Sequence, residues 1–250
     1  MESYSREKEI VLKIDKISKH FGGLKAVDGI SFDLRNKEIL AVIGPNGAGK
    51  TTTFNLISGV LPLTSGQIYF KDTEITNIQP NKRCKMGIGR TFQIMQLFDD
   101  MSVLDNITTG AIFGHANRSL KEAKKKAEEI CERLHLTEYK DYDSSELPLA
   151  HRKRLEIARA YATGPEILLL DEIMEGLNMV EAKEMVDLIK SIRDEGISVI
   201  SIDHVMHTVK EMADWVIVVN YGQMLTQGTY NEVVNSPEVI EAYLGKEEED

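Results

Sequence analysis

The apolar positions of this chain follow two different rhythms. Over the first 35 residues they alternate with polar ones, as at Leu12 and Ile14 and again at Ile30, Phe32 and Leu34. Alternation with a period of two marks strands with one buried face. The turn-rich stretch 20–25 separates the two runs, which predicts antiparallel pairing. From Ile39 onward the apolar residues gather into short unbroken runs, at Ile39–Ile43 and at 167–170, 199–202 and 216–219. Such runs predict strands buried on both faces of a parallel sheet. Helical spacing lies between them, with Ala182, Met185, Val186 and Ile189 on one face and Gly196 at the expected C-terminal cap. Strand, helix and strand in that order imply right-handed crossovers in an α/β fold.

The middle of the chain departs from this order. No continuous apolar strand is evident over 85–162, whereas 121–134 places Ala123, Ala127, Ile130, Cys131 and Leu134 on one helical face. The expected organisation is one α/β domain over 1–250. Its mostly parallel sheet core and N-terminal antiparallel β subdomain fall in 1–84 and 163–250, and a helical subdomain is inserted at 85–162.

Composition narrows the classes of partner. A chain of 250 residues, 42% hydrophobic, can bury one substantial core. Thirty basic against 40 acidic residues give a net charge of −10, which argues against a nucleic-acid binder. The basic clusters at 124–126 and 152–154 read as solvated helix faces. The two cysteines, Cys84 and Cys131, lie far apart and suggest neither a disulfide framework nor a zinc site, in keeping with a reducing cytoplasm. The polar start, 1–9, lacks the apolar core of a secretion signal. No apolar run approaches the roughly 20 residues that span a bilayer, so any membrane role is expected to be peripheral, through a partner. The acidic end, 246–250, reads as a frayed tail.

The candidate chemistry starts where the first continuous apolar run stops. Gly44-Pro45-Asn46-Gly47-Ala48-Gly49-Lys50-Thr51 fits Gly-x-x-x-x-Gly-Lys-Thr, the P-loop pattern. Its glycines let the loop curl so that backbone N–H groups point at a phosphate chain, and the helix expected to begin near Lys50 adds its positive end. Lys50 supplies charge for the β- and γ-phosphates, Thr51 offers a hydroxyl to Mg²⁺, and Thr52 completes the cradle. At 167–172 four apolar residues lead to Asp171 and Glu172, the Walker B arrangement. Strand ends of open α/β sheets gather where ligands bind. Asp171 is therefore expected to hold Mg²⁺ through water, and Glu172 to polarise the attacking water as a general base, a contribution of about 10²- to 10⁴-fold.

With these motifs in order, the sequence resembles the ATP-binding cassette ATPases over nearly its whole length. Arg90-Thr91-Phe92-Gln93 is similar to that family's Q-loop, and Ser201-Ile202-Asp203-His204 to its switch-histidine strand. The resemblance implies that Gln93 touches Mg²⁺ or the attacking water and senses a membrane partner, and that His204 contacts the γ-phosphate. Phe21 stands where the family stacks an aromatic on adenine, although a core phenylalanine fits the sequence as well. Phe21-Gly22-Gly23-Leu24-Lys25-Ala26-Val27, the segment 90–97, Leu155-Glu156-Ile157-Ala158-Arg159-Ala160 and the ending Glu241-Ala242-Tyr243-Leu244-Gly245 are similar to the ATPases of branched-chain amino acid importers; importers of urea, amides or other amino acids share much of this wording. The implied activity is ATP hydrolysis with Mg²⁺, energising transport by transmembrane permease subunits that dock beside Gln93 on Ile94, Met95, Leu97 and Phe98. The implied place is the cytoplasmic face of the membrane. An ATP-binding regulatory subunit with little hydrolysis is the alternative.

Two departures from the pattern bear on assembly. The family's Leu-Ser-Gly-Gly-Gln signature falls on Leu147-Pro148-Leu149-Ala150-His151, where only the leucine is kept. In the resembling ATPases this loop binds the γ-phosphate held by a second subunit. Pro148 has neither a hydroxyl nor an N–H, whereas the amides of Leu149, Ala150 and His151 remain. After Walker B, Ile173 replaces a proline, and Asn178 replaces an aspartate in a Gly176-Leu177-Asn178 turn that resembles the D-loop. An intact P-loop beside an altered signature suits an asymmetric heterodimer with a second ATPase subunit, although a homodimer is possible.

Overall fold

The computed structural model describes residues 8–93, 95–116 and 118–244. Ile94, Gly245, the tail 246–250 and most of the polar start therefore lie outside the described residues. The chain forms two compact units, one running to Gln79 and resuming at Ser198, the other spanning residues 80–197. In chain order the first unit opens with β1 (Ile10–Phe21), β2 (Leu24–Arg35), β3 (Ile39–Ile43), α1 (Lys50–Ile57), β4 (Ser65–Phe70) and β5 (Thr73–Glu74). The second holds α2 (Pro80–Met86), β6 (Ile88–Arg90), α3 (Val103–Phe113), α4 (Leu120–Arg133), α5 (Leu149–Ala162), β7 (Ile167–Asp171) and α6 (Met179–Asp194). The first then closes with β8 (Ser198–Ile202), α7 (Met206–Met212), β9 (Trp215–Asn220), β10 (Gln223–Gly228), α8 (Tyr230–Val234) and α9 (Pro237–Leu244).

In the first unit the alternating strands pair as the sequence implies. β1 and β2 are antiparallel, with Leu12 opposite Leu34, Ile14 opposite Phe32 and Ile17 opposite Ile30, so one buried face is shared by both strands. β4 lies antiparallel on the other side of β1 and carries β5 at its edge. The continuous run β3 is wholly buried and lies parallel between β8 and β9. β10 is antiparallel to β9. Ala41 and Ile43 of β3 and Val216 and Val218 of β9 share a core cluster with Val209, Val233 and Val239 from α7, α8 and α9.

In the second unit β6 and β7 pair in parallel, Ile88 with Ile167 and Arg90 with Leu169. The sequence shows no strand at β6, because only three residues pair and the central one is Gly89. α4 buries Ala123, Ala127, Ile130 and Cys131, and Ser119 and Glu122 form a capping box at its start. α6 is capped by Glu195, after which Gly196 adopts φ +110°, the left-handed conformation that closes many helices. The architecture is α/β with an N-terminal antiparallel sheet and a mostly parallel one. The cluster 124–126 is mainly exposed, as expected of a solvated face. The cluster 152–154 is not, because Lys153 and Arg154 are buried, at 8% and 9% exposure.

Candidate functional site

The P-loop leaves β3 at Gly44 and enters α1 through Gly49. Gly44 has φ +155°, and a Cβ there would fall into the carbonyl oxygen of Val219. Gly49 has φ +102° and abuts the carbonyl of Ala26. Both positions exclude a side chain on conformation and on space. The curl is fastened from outside, since Gly222 N–H donates to the Ala48 carbonyl (2.9 Å) and Asp28 N–H to the Gly222 carbonyl (2.7 Å). Inside it, Lys50 is 6% exposed. Its Nζ donates to the carbonyls of Gly44 (2.8 Å) and Pro45 (2.9 Å). The ammonium thus sits within the ring of backbone, while Asn46 and Gly47 are exposed and Thr51 and Thr52 half-buried in the first helical turn.

Two further candidates belong to this unit. Phe21 ends β1 with 47% of its surface exposed and Lys19 Nζ 5.2 Å from its ring centre, which removes the core alternative. His204 is exposed beyond β8. The preceding Asp203 is fully buried and accepts the N–H groups of His204 and Val205 (2.8 and 2.9 Å) through one carboxylate oxygen. That turn presents the imidazole outward.

The second unit gathers the carboxylates. Asp171 ends β7 at 2% exposure. Its Oδ2 takes Arg90 Nη2 (3.1 Å), and its N–H donates to the Thr91 hydroxyl (3.0 Å). Burial lowers the pKa of the Arg90 guanidinium, and Asp171 and Glu156 pull it back up. Glu172 follows with φ +50°, a left-handed conformation that costs a non-glycine residue of the order of 1–3 kcal/mol. Lys153 Nζ (3.1 Å) and the N–H of Glu175 (3.3 Å) both donate to the Glu172 carbonyl. Gln93 Nε2 donates to Glu172 Oε2 (2.9 Å). One residue before Gln93, the N–H of Phe92 donates to Glu156 Oε1 (2.7 Å). Glu156 is 3% exposed, and burial raises its pKa above the ordinary carboxylate range. A cavity of about 260 Å³ opens here, lined among others by Gln93, Leu149, Lys153, Glu156, Asp171 and Glu172.

The altered signature forms the entry to α5. Pro148 occupies the N-cap without a side-chain cap, so the first-turn amides of Leu149, Ala150 and His151 lack the hydroxyl partner a serine would give. His151 lies against the Tyr139 ring at 4.4 Å between centroids. Its Nδ1 is buried and takes no hydrogen bond among the described residues. Burial first, and then Arg154, lower its pKa. At the D-loop, Asn178 caps α6 by accepting from the N–H groups of Val180 (2.9 Å) and Glu181 (3.1 Å).

The structure therefore unites Gln93 with Glu172, and Lys50 with the loop glycines. The donors proposed for Mg²⁺, the Thr51 hydroxyl, the Asp171 carboxylate and the Gln93 amide, are all hard oxygen ligands. Among the described residues no group of three or more His, Cys, Asp or Glu could hold a metal. A donor set with a single carboxylate and neutral oxygens fits an ion whose shell is completed by phosphate and water. Arg90, Lys153 and Glu156 are the residues that sequence reasoning did not assign. Arg90 opens the Q-loop-like segment and Glu156 lies in the segment 155–160 similar to the importer ATPases, but neither motif gives either residue a role, and Lys153 lies in the basic cluster 152–154.

Known proteins resemble this chain in sequence and in fold. The ABC transporter family pattern matches residues 27–175, and a second pattern, described as branched-chain amino acid ATP-binding cassette transporter, matches residues 223–249. The chain is 38% identical over 250 residues to the high-affinity branched-chain amino acid transport ATP-binding protein LivG of Salmonella typhimurium, covering 94% of this chain and 98% of that protein. It is 36% identical over 251 residues to BraF of Pseudomonas aeruginosa, a protein of the same description, with the same coverage. A crystal structure of a nucleotide-free ATP-binding cassette from an ABC transporter superposes with a TM-score of 0.87 at 31% identity, covering 95% of this chain and all of that one. The chain belongs to the ABC transporter family and is one of its ATP-binding cassettes, an ABC-type ATPase. Its similarity runs most specifically to the branched-chain amino acid group.

Proposed function

We propose that this chain is the ATP-hydrolysing subunit of an importer of branched-chain amino acids, working through transmembrane permease subunits at the cytoplasmic face of the membrane. The observation that carries the reading is the P-loop itself, whose Gly44 and Gly49 tolerate no side chain and whose curl surrounds Lys50. ATP entering that curl takes over the Lys50 ammonium from the two carbonyls for its β- and γ-phosphates. Phe21 lies under the adenine. By the family resemblance Thr51, Asp171 and Gln93 would be the oxygen donors for Mg²⁺, which when bound would neutralise charge on the phosphates. Glu172 draws the proton from the attacking water, with Gln93 orienting it, and His204 donates to the γ-phosphate.

Among the described residues no helix is long and apolar enough to cross a membrane. Contact with the bilayer then runs through the permease, docked near Gln93 on Met95, Leu97 and Phe98, of which Phe98 is exposed. The first-turn donors of α5 bind a partner's nucleotide weakly, since Pro148 offers no hydroxyl and His151 turns inward onto Tyr139. The assembly that suits this is a heterodimer in which the second ATPase subunit completes the site at Lys50. The reading is tested by co-purifying the chain with its permease, reconstituting the complex in liposomes and following ATP-driven uptake of leucine. Uptake that Glu172→Gln abolishes supports the proposal. ATP hydrolysis that Glu172→Gln abolishes but that drives no leucine uptake would redirect it to another solute, and full turnover by the chain as a homodimer would remove the asymmetric assembly.

A further inference from the structure

We infer that α5 positions the hydrolytic pair: Lys153 fixes the backbone of Glu172, and Glu156, one turn further along the same helix, fixes the loop that carries Gln93. The inference rests on the proposal that Glu172 is the general base. Lys153 and Glu156 are three residues apart and so share one helix face. Both are buried, at 8% and 3% exposure. Buried charges persist only where specific partners compensate their loss of water.

The partners here are the two segments that chemistry requires to be still. Lys153 Nζ reaches the Glu172 carbonyl at 3.1 Å, at the residue whose φ of +50° is unfavourable for any side chain but glycine. A left-handed residue persists only where its surroundings hold it. Glu156 Oε1 accepts the Phe92 N–H at 2.7 Å. Gln93, next in sequence, closes the circuit onto Glu172 Oε2 at 2.9 Å. The contacts thus form a ring from α5 to Glu172, to Gln93, to Phe92 and back to α5. A shift of α5 along or about its axis moves the candidate base and its glutamine together. In this chain the helix behind the altered signature keeps a task within its own subunit, whatever its first turn does for a partner.

Neither residue is proposed to touch the substrate, so the test is a split between turnover and affinity. Single-turnover ATP hydrolysis is measured in the complex with the permease and the second ATPase subunit, and ATP affinity and thermal melting on the full chain, for Lys153→Met, Lys153→Arg, Glu156→Leu and Glu156→Gln, with Glu172→Gln as the reference. A misplaced base lowers the rate on the order of tenfold to a hundredfold. The expected result is that loss for Lys153→Met and Glu156→Leu, with ATP affinity within about twofold of the parent. Lys153→Arg, which keeps a donor for the carbonyl, and Glu156→Gln, which keeps an acceptor for the Phe92 amide, recover most of it. Folded Lys153→Met and Glu156→Leu chains that hydrolyse at the parent rate would overturn the inference while Glu172→Gln remains slow. A Glu172→Gln chain as fast as the parent would overturn the general-base proposal instead. Should Lys153→Met fail to fold, the glutamate pair decides, because equal rates for Glu156→Leu and Glu156→Gln contradict the ring.

Discussion

Gln93 and Glu172 lie 79 positions apart in sequence and meet through a 2.9 Å hydrogen bond from the amide to the carboxylate. The bond joins the loop implied to sense the permease to the residue implied to activate water. Breaking it is expected to separate binding from chemistry. Gln93→Ala should lower single-turnover hydrolysis about tenfold to a hundredfold, while calorimetry without Mg²⁺ finds ATP affinity nearly unchanged. Equal losses in both would place Gln93 in binding instead.

The P-loop glycines set a second expectation. At Gly44 a methyl group would meet the Val219 carbonyl, and at Gly49 the Ala26 carbonyl, each at positive φ. Either alanine substitution should destabilise the chain by more than about 1 kcal/mol and abolish nucleotide binding. Gly47, also at positive φ, has nothing within reach of an added Cβ, so Gly47→Ala is expected to be milder in thermal melts.

His151 makes stability depend on pH. Burial, with Arg154 beside it, lowers its pKa, so the unfolded chain binds the proton more readily than the folded one. The stability tied to neutral His151 is fully present above the ordinary histidine value of about 6.5. It is lost as pH falls through the lower folded value. Denaturant melts from pH 7.5 down to 5 should show this loss in the parent chain and less of it in His151→Gln.

Asn178 should be worth what a good helix cap is worth. It accepts from Val180 and Glu181 and forms a capping box with Glu181, so Asn178→Ala is expected to cost about 1 kcal/mol in urea denaturation. Asn178→Asp keeps the acceptor and should cost little.

How much of this was legible in sequence depended on range. The unbroken apolar runs gave away β3, β7, β8 and β9, and the alternation at Leu12, Ile14, Phe32 and Leu34 gave away the antiparallel pair, because local pattern reports burial directly. β6 stayed hidden, since three residues centred on Gly89 are too few for any periodicity. The cluster 152–154 misled for a different reason. Arg154 is buried against Glu184, and Lys153 against the Glu172 carbonyl, partners that lie 30 and 19 positions away. Charge that is buried because of distant partners looks locally like a solvated face. The P-loop residues could be named from spacing alone, whereas the contacts of Lys153 and Glu156 join segments distant in sequence and leave no local pattern.

Nucleotide binding by this chain depends on the curl around Lys50. Calorimetric titration of ATP with Mg²⁺ into the parent chain and into Lys50→Ala tests it most directly, with circular dichroism to show that both are folded. That ammonium donates to the Gly44 and Pro45 carbonyls, and the loss of even one charge-assisted hydrogen bond to phosphate weakens binding at least about tenfold. Saturable binding by the parent and little or none by Lys50→Ala is the expected result. Equal affinity in the two folded chains would contradict it.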